Sequence, residues 1–242
     1  MKFLYLQKKT SNMETLADLL QPYKSAVGTT AAVVTVGQMF SGTFLCWDIY
    51  KQNSTKGIGI MPFVGGLIMS LLNLKFGFVL RDDTMIQVNF FGLALNIVYL
   101  MVYFNYSSQK GRVWTQIGAG GAFSAAVLGY AEYEDPSLVE NRLGTIITVF
   151  MFYLIASPLF GLRDIIKKQS TEGMPFPMIL SGAVVSFMWL LYGIILRNNF
   201  LVLQNVVAFV LCAAQLALFV VYPGKRAPRS QPKSKSKQRK LD

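Results

Sequence analysis

Asn89 and Asn205 are the polar residues whose type and spacing most invite chemistry, for each lies inside a hydrophobic run and 116 positions separate them. A carboxamide carries two donors and two acceptors, which suits a ligand with adjacent polar groups. The competing reading is that each amide bonds a neighbouring helix and only holds a bundle together. The same spacing decides between them. It pairs 52–57 (QNSTKG) with 168–173 (KQSTEG), and it pairs Asp48 with Asp164, Lys51 with Lys167, Gly77 with Gly193 and Arg81 with Arg197. A duplicated segment with matched intramembrane polar residues points to a pore or carrier built from two halves, with its site where the halves face each other.

Trp189 lies ~10 Å inside its helix by rise per residue, deeper than the interfacial belt of aromatic residues. An indole face can stack on an apolar face of a ligand while its N–H finds a polar partner. The position 116 residues earlier is Asn73, a hydrogen-bonding group in place of a stacking platform. Lys75, two residues on, has Leu191 as its counterpart. A Lys near a helix end snorkels to the headgroups, and the sharper alternative is a cation beside a pathway.

The elements that must position these groups are long apolar helices. The chain is 53% hydrophobic and 14% charged, whereas a soluble domain carries about a quarter charged residues. Seven stretches are long enough for a ~30 Å hydrocarbon core: 29–50, 58–80, 84–106, 113–131, 143–162, 175–196 and 200–222. The fourth is rich in Gly and Ala, which suits close helix packing. Corresponding spans of the two copies lie four crossings apart, so both copies point the same way and the fourth span is the inserted crossing. The expectation is an all-α membrane protein of seven transmembrane helices, in a 3+1+3 arrangement of two parallel three-helix repeats. Residues 1–28 form a short exoplasmic segment, 29–106 the first repeat, 107–142 the linker helix with its loops, 143–222 the second repeat and 223–242 a basic disordered tail.

Lys and Arg set the orientation. Loops after spans one, three and five carry seven positive charges, those after two, four and six carry three, and the tail adds eight to the first group. The N-terminus is therefore expected outside or lumenal and the tail in the cytosol. The net charge of +11 follows from this topology and the tail. Without stacking aromatics the tail reads as an arm near anionic lipid, and nucleic acid is excluded as a partner. No cleavable signal peptide is visible. Cys46 and Cys212 fall inside spans as buried small hydrophobes, and the chain has no histidine. No metal site, no cofactor and no catalytic residue is expected, since no nucleophile–base pair or deep carboxylate pair is present.

Trp47-Asp48-Ile49-Tyr50-Lys51-Gln52-Asn53-Ser54-Thr55, followed by Met61-Pro62-Phe63, resembles the first half of the SWEET (nodulin/saliva-type) sugar transporters. Ser157-Pro158-Leu159, Pro175-Phe176-Pro177, Trp189-Leu190-Leu191-Tyr192-Gly193 and Asn205 resemble the second half, over residues 35 to 222 in all. The resemblance, to an animal member of the family, implies facilitated movement of mono- or disaccharides by alternating access. It places substrate-binding residues at Asn89 and Asn205 and a Trp at Trp189, where the first-half position here is Asn73. It also implies four hinge prolines, of which Pro62, Pro158 and Pro177 are present and Gly42 replaces the fourth, a looser hinge. The plasma membrane or the Golgi is the expected location. The expected partners are a sugar and membrane lipid, with a homo-oligomer left open. Asp48 and Asp164 read as interfacial ion pairs with Lys51 and Lys167, and no Asp, Glu or His lies deep in a span, which favours transport without a coupled ion. A seven-helix cargo or sorting receptor is the alternative; it needs a lumenal cation to grip a peptide carboxylate, and only Lys75 offers one at depth.

Overall fold

In hydrocarbon every backbone N–H and C=O must be satisfied within its own segment, and the chain meets this with helices alone among its described residues. The computed structural model describes residues 13–171 and 174–222, and of 157–164 and 168 the backbone only. The helices are α1 (Lys24–Met39), α2 (Ser41–Gln52), α3 (Met61–Leu80), α4 (Asp83–Tyr106), α5 (Lys110–Tyr133), α6 (Val139–Lys168), α7 (Phe176–Ile195) and α8 (Asn199–Val221). Six stretches are long and apolar enough to cross a membrane, the first of them running through α1 and α2. Helix α5, 24 residues long, is the seventh crossing; its Gly and Ala dilute its hydropathy.

The duplication is legible in the backbone. Asn53 and Gln169 close α2 and α6 in the left-handed conformation (φ 48° and 50°), and Arg81 and Arg197 do the same after α3 and α7 (φ 53° and 54°). Asp82 and Asn198, 116 residues apart, then cap the following helices, each accepting a hydrogen bond at 3.0 Å from Met85 N–H and Leu201 N–H respectively. At each of these turns a glycine lets consecutive helices close up. A Cβ on Gly77 would lie 3.1 Å from the Cβ of Met85, and one on Gly193 would lie 2.9 Å from that of Leu201.

Within a half, the third helix lies between the other two: α4 packs on α1, α2 and α3, and α8 on α6 and α7. The halves meet through α1 against α7 and α3 against α6, while α5 packs on α3 and α6. Two polar ties hold α5. Lys75 on α3 pairs with Glu132, and Glu134 accepts from Tyr130 and from Arg142 on α6. The Tyr130 hydroxyl, with Arg142 behind it, holds the Glu134 carboxyl below the usual carboxylate range.

The structure adds detail to one expectation and changes three others. Residues 13–28, within the short N-terminal segment expected over 1–28, are helical from residue 13 apart from a 3-10 turn at Gln21–Tyr23. Ala17 is fully buried and Asp18 bonds Arg197 at 2.5 Å; hydropathy marks where lipid begins and cannot see a helix that continues past it. Pro62 and Pro177 stand in the first turns of α3 and α7, where the missing N–H has no intrahelical partner anyway. They start helices instead of kinking them. The break in the first span falls at Phe40, without a proline. Asp48 forms no ion pair with a described residue, and Lys51 sits 5.2 Å over the Trp47 ring. The side chains of Pro158 and Asp164, and residues 223–242, lie outside the described residues.

Candidate functional site

A cavity of about 180 Å³ lies between the halves and is lined from α1, α3, α4, α6, α7 and α8. Asn73, Asn89, Trp189 and Asn205 all line it. Twelve residues form its wall, and ten of them are five repeat pairs: Thr35 with Met151, Asn73 with Trp189, Met85 with Leu201, Val88 with Gln204, and Asn89 with Asn205. The cavity therefore sits on the pseudo-two-fold axis relating the halves.

Both asparagines are held alike. Asn89 Nδ2 donates to Met85 O and Asn205 Nδ2 to Leu201 O, each at 2.8 Å and four residues back. That bond uses one N–H and fixes the amide plane, leaving the Oδ1 acceptor and a second N–H to a ligand. Asn73 bonds Met69 O in the same way at 3.0 Å. The bond to the helix's own carbonyl argues against the reading in which these amides tie neighbouring helices together.

Around this symmetric pair the wall is asymmetric. Trp189 Nε1 donates to Thr35 Oγ1 at 2.8 Å, and that hydroxyl donates in turn to Ala31 O at 2.6 Å. The indole N–H is thus spent across the interface between halves. Gln204, almost fully buried, donates to Thr148 Oγ1 at 2.7 Å. Thr35 and Gln204 are site residues the sequence reading missed. Their repeat partners Met151 and Val88 carry no matching polar group, so a search for paired polar positions passes over them.

Beyond Trp189, whose ring meets that of Tyr192 edge-on, a buried polar cluster joins the halves. Tyr192, 1% exposed, donates to Asp82 Oδ2 at 2.7 Å, and Lys24 Nζ lies 3.5 Å from the same oxygen. Gly28 lets α1 close on this ring, since a Cβ there would stand 2.9 Å from Tyr192 Cε2. Asp82, in the turn between α3 and α4, is 4% exposed. Its oxygens are not left unpaired there, since Tyr192, Lys24 and the Met85 N–H all face them. Toward the other end a second cavity of about 170 Å³ shares Met39 with the first and is lined by Gly42, Pro62, Asn96 and Tyr99 among others. Here Tyr99 takes over what a proline would do. Its hydroxyl donates to Met39 O at 3.1 Å and lies 2.9 Å from Thr43 Oγ1, across the break at Phe40. Gly42 is not a loose hinge: a Cβ would meet the Tyr99 ring at 2.4 Å. Lys75 does not line either cavity, and its ion pair with Glu132 removes the one deep cation a cargo receptor would use.

A largely apolar cavity carrying five polar side chains, set on the axis between two parallel three-helix repeats and followed by a second cavity toward one end, defines a membrane transporter. A profile of the family described as "Sugar efflux transporter for intercellular exchange" matches residues 25–111 and 141–227, once on each half, and the chain belongs to this family. Among its relatives, sugar transporter SWEET1 of Drosophila pseudoobscura pseudoobscura is 30% identical over 210 residues, covering 84% of this chain and 90% of the relative. Sugar transporter SWEET1 of Caenorhabditis elegans is 29% identical over 206 residues, covering 85% and 68%. The solved structure of a eukaryotic SWEET transporter has the same fold, with a TM-score of 0.77 at 24% identity over 84% of this chain and 98% of that one.

Proposed function

We propose that the protein is a passive sugar transporter that works by alternating access, with Asn89 and Asn205 gripping sugar hydroxyls and Trp189 stacking on the ring. The carrying observation is the pairing of ten of twelve wall residues across the repeat around two identically held asparagines. A cavity of about 180 Å³ is smaller than the ~300–1,000 Å³ of drug-sized sites and favours one pyranose over a disaccharide. Asn73 offers hydrogen bonds opposite the indole, so the substrate meets a stacking wall on one side and a polar wall on the other. The charge distribution favours an exoplasmic Asp82 end and a cytosolic Pro62 end, which makes this conformation inward-facing, with the Tyr192–Asp82–Lys24 lock closed. Plasma membrane or Golgi location is part of the same proposal, as is binding of the basic tail to anionic lipid.

Transport is passive on this reading because Asp82, the buried carboxylate beside the path, is already neutralised by Lys24. A panel of radiolabelled glucose, fructose, sucrose and trehalose uptake, with and without a protonophore, tests it. Hexose flux that survives the uncoupler and outruns disaccharide flux is expected. Concentrative uptake abolished by the uncoupler would assign Asp82 a proton-coupling role instead, and sucrose uptake as fast as glucose would refute the single-ring pocket.

A further inference from the structure

A second large cavity lies away from the one lined by Asn89 and Asn205. It measures about 650 Å³ and lies between the α2–α3 loop, the α4–α5 loop and the first turns of α5. That volume falls within the ~300–1,000 Å³ of small-molecule sites. Its wall is polar and of one sign. Lys56 and Arg112 both line it and no Asp or Glu does. Neither cation enters an ion pair with a described residue. Thr55, Ser108, Gln109 and Gln116 add hydroxyls and amides. Helix α5 begins there with no side chain capping its first N–H groups, and unsatisfied N–H groups at a helix start favour an anion.

The second half makes a tie at this level that the first half lacks among the described residues. In the second half Thr171 Oγ1 donates to Tyr222 O at 2.8 Å, which ties the α6–α7 loop down on the end of α8. The counterparts are Thr55 and Tyr106, and Thr55 makes no such bond among the described residues. The first-half loop stands off instead, and the tie that remains is Tyr103 O–H donating to Ile58 O at 3.0 Å. Loop sequences alike at Ser-Thr are thus tied differently in the two halves, and in the first a basic cavity stands where α5 follows directly.

From this geometry we infer a second ligand site, for a phosphorylated polyol. The two cations receive the phosphate, and the hydroxyls and amides meet the polyol. Such chemistry has two sources, a free sugar or inositol phosphate and the headgroup of a phosphoinositide. Exposed Trp47, Tyr50 and Trp114 ring the same end of the bundle, where aromatic residues mark the headgroup level. The site is separate from the sugar cavity and shares no wall residue with it.

The test is equilibrium binding to the purified full chain in detergent, where both faces are accessible. The probes are glucose 6-phosphate, inositol 1,4,5-trisphosphate and dioctanoyl phosphatidylinositol 4,5-bisphosphate, with glucose and dioctanoyl phosphatidylcholine as uncharged and zwitterionic controls. At least one phosphorylated probe should saturate, and Lys56→Gln with Arg112→Gln should weaken it at least about tenfold. Binding of the soluble probes identifies a free phosphate ligand; binding of the lipid probe alone identifies a headgroup. Asn89→Ala with Asn205→Ala should retain this binding, which separates it from the sugar site. Lys51→Gln with Lys167→Gln removes two exposed charges from the same end and should leave affinity within about twofold. The inference fails if no phosphorylated probe saturates, or if this control pair weakens binding as much as the cavity pair.

Discussion

At the residue scale the site divides into what is paired and what is not. Asn89→Ala and Asn205→Ala each leave sugar hydroxyls unmet in a low-dielectric pocket, at ~1–3 kcal/mol per group, and so should lower affinity about 5- to 150-fold at normal expression. Asn96, which lies in the neighbouring cavity and bonds Gly92 O at 2.8 Å, is the comparison. Equal flux loss in Asn96→Ala would mean that any intramembrane amide matters through packing. Trp189→Phe should keep part of the flux that Trp189→Ala loses, because a ring still stacks. Phe cannot donate to Thr35, so a Phe variant as poor as Ala would move the indole's importance from stacking to that bond. Duplication made Asn89, Asn205 and the Trp189–Asn73 exchange readable from sequence. Thr35 and Gln204 were hidden because their value depends on which groups face them across an interface, and Asp82 was hidden because its burial is made by Tyr192, 110 positions away.

At the element scale the paired glycines are where sequence and packing agree most closely. A Cβ added at Gly193 would stand 2.9 Å from Leu201 Cβ and 3.1 Å from Val202 N, and backbone cannot step aside as a side chain can. Gly193→Ala should therefore cost roughly 1–3 kcal/mol through overpacking, read as a lower unfolding midpoint in detergent. An unchanged midpoint would show that α7 and α8 can part without loss. The break in the first span is the opposite case, because a missing proline at Gly42 suggested a loosened joint. The structure fixes that joint through Tyr99, on a different helix. Tyr99→Phe leaves the Met39 carbonyl and the Thr43 hydroxyl without this partner, and about 1–2 kcal/mol of stability should go with it. If Tyr99→Phe unfolds at the native temperature, water or backbone must already satisfy Met39. Helix positions were legible because twenty-residue apolar runs have few alternatives in lipid. Joints were not, since a kink can be set from outside the helix that bends.

At the scale of the whole molecule, the proposed orientation puts the Pro62 end in the cytosol, on the charge bias of the loops. Asn53-Ser54-Thr55 and Asn105-Tyr106-Ser107 would then escape glycosylation, and a glycan on either, seen as an endoglycosidase-sensitive mobility shift, would invert the orientation. The inverted topology would also turn the closed Tyr192–Asp82 end toward the cytosol. The contact of α1 with α7 has a consequence in time as well as in space. Thr35 waits for Trp189, 154 positions later in the chain. At ~5–20 residues per second, synthesis separates the two by roughly ten to thirty seconds. In the later part of that interval, once α4 is made, the first three spans sit in the bilayer with Thr35 and Gly28 facing a partner that has not yet been made. The half that carries one copy of the repeat therefore cannot finish folding on its own schedule. Its assembly ends only after α7 has left the ribosome, and the insertion machinery or lipid must shelter that face until then.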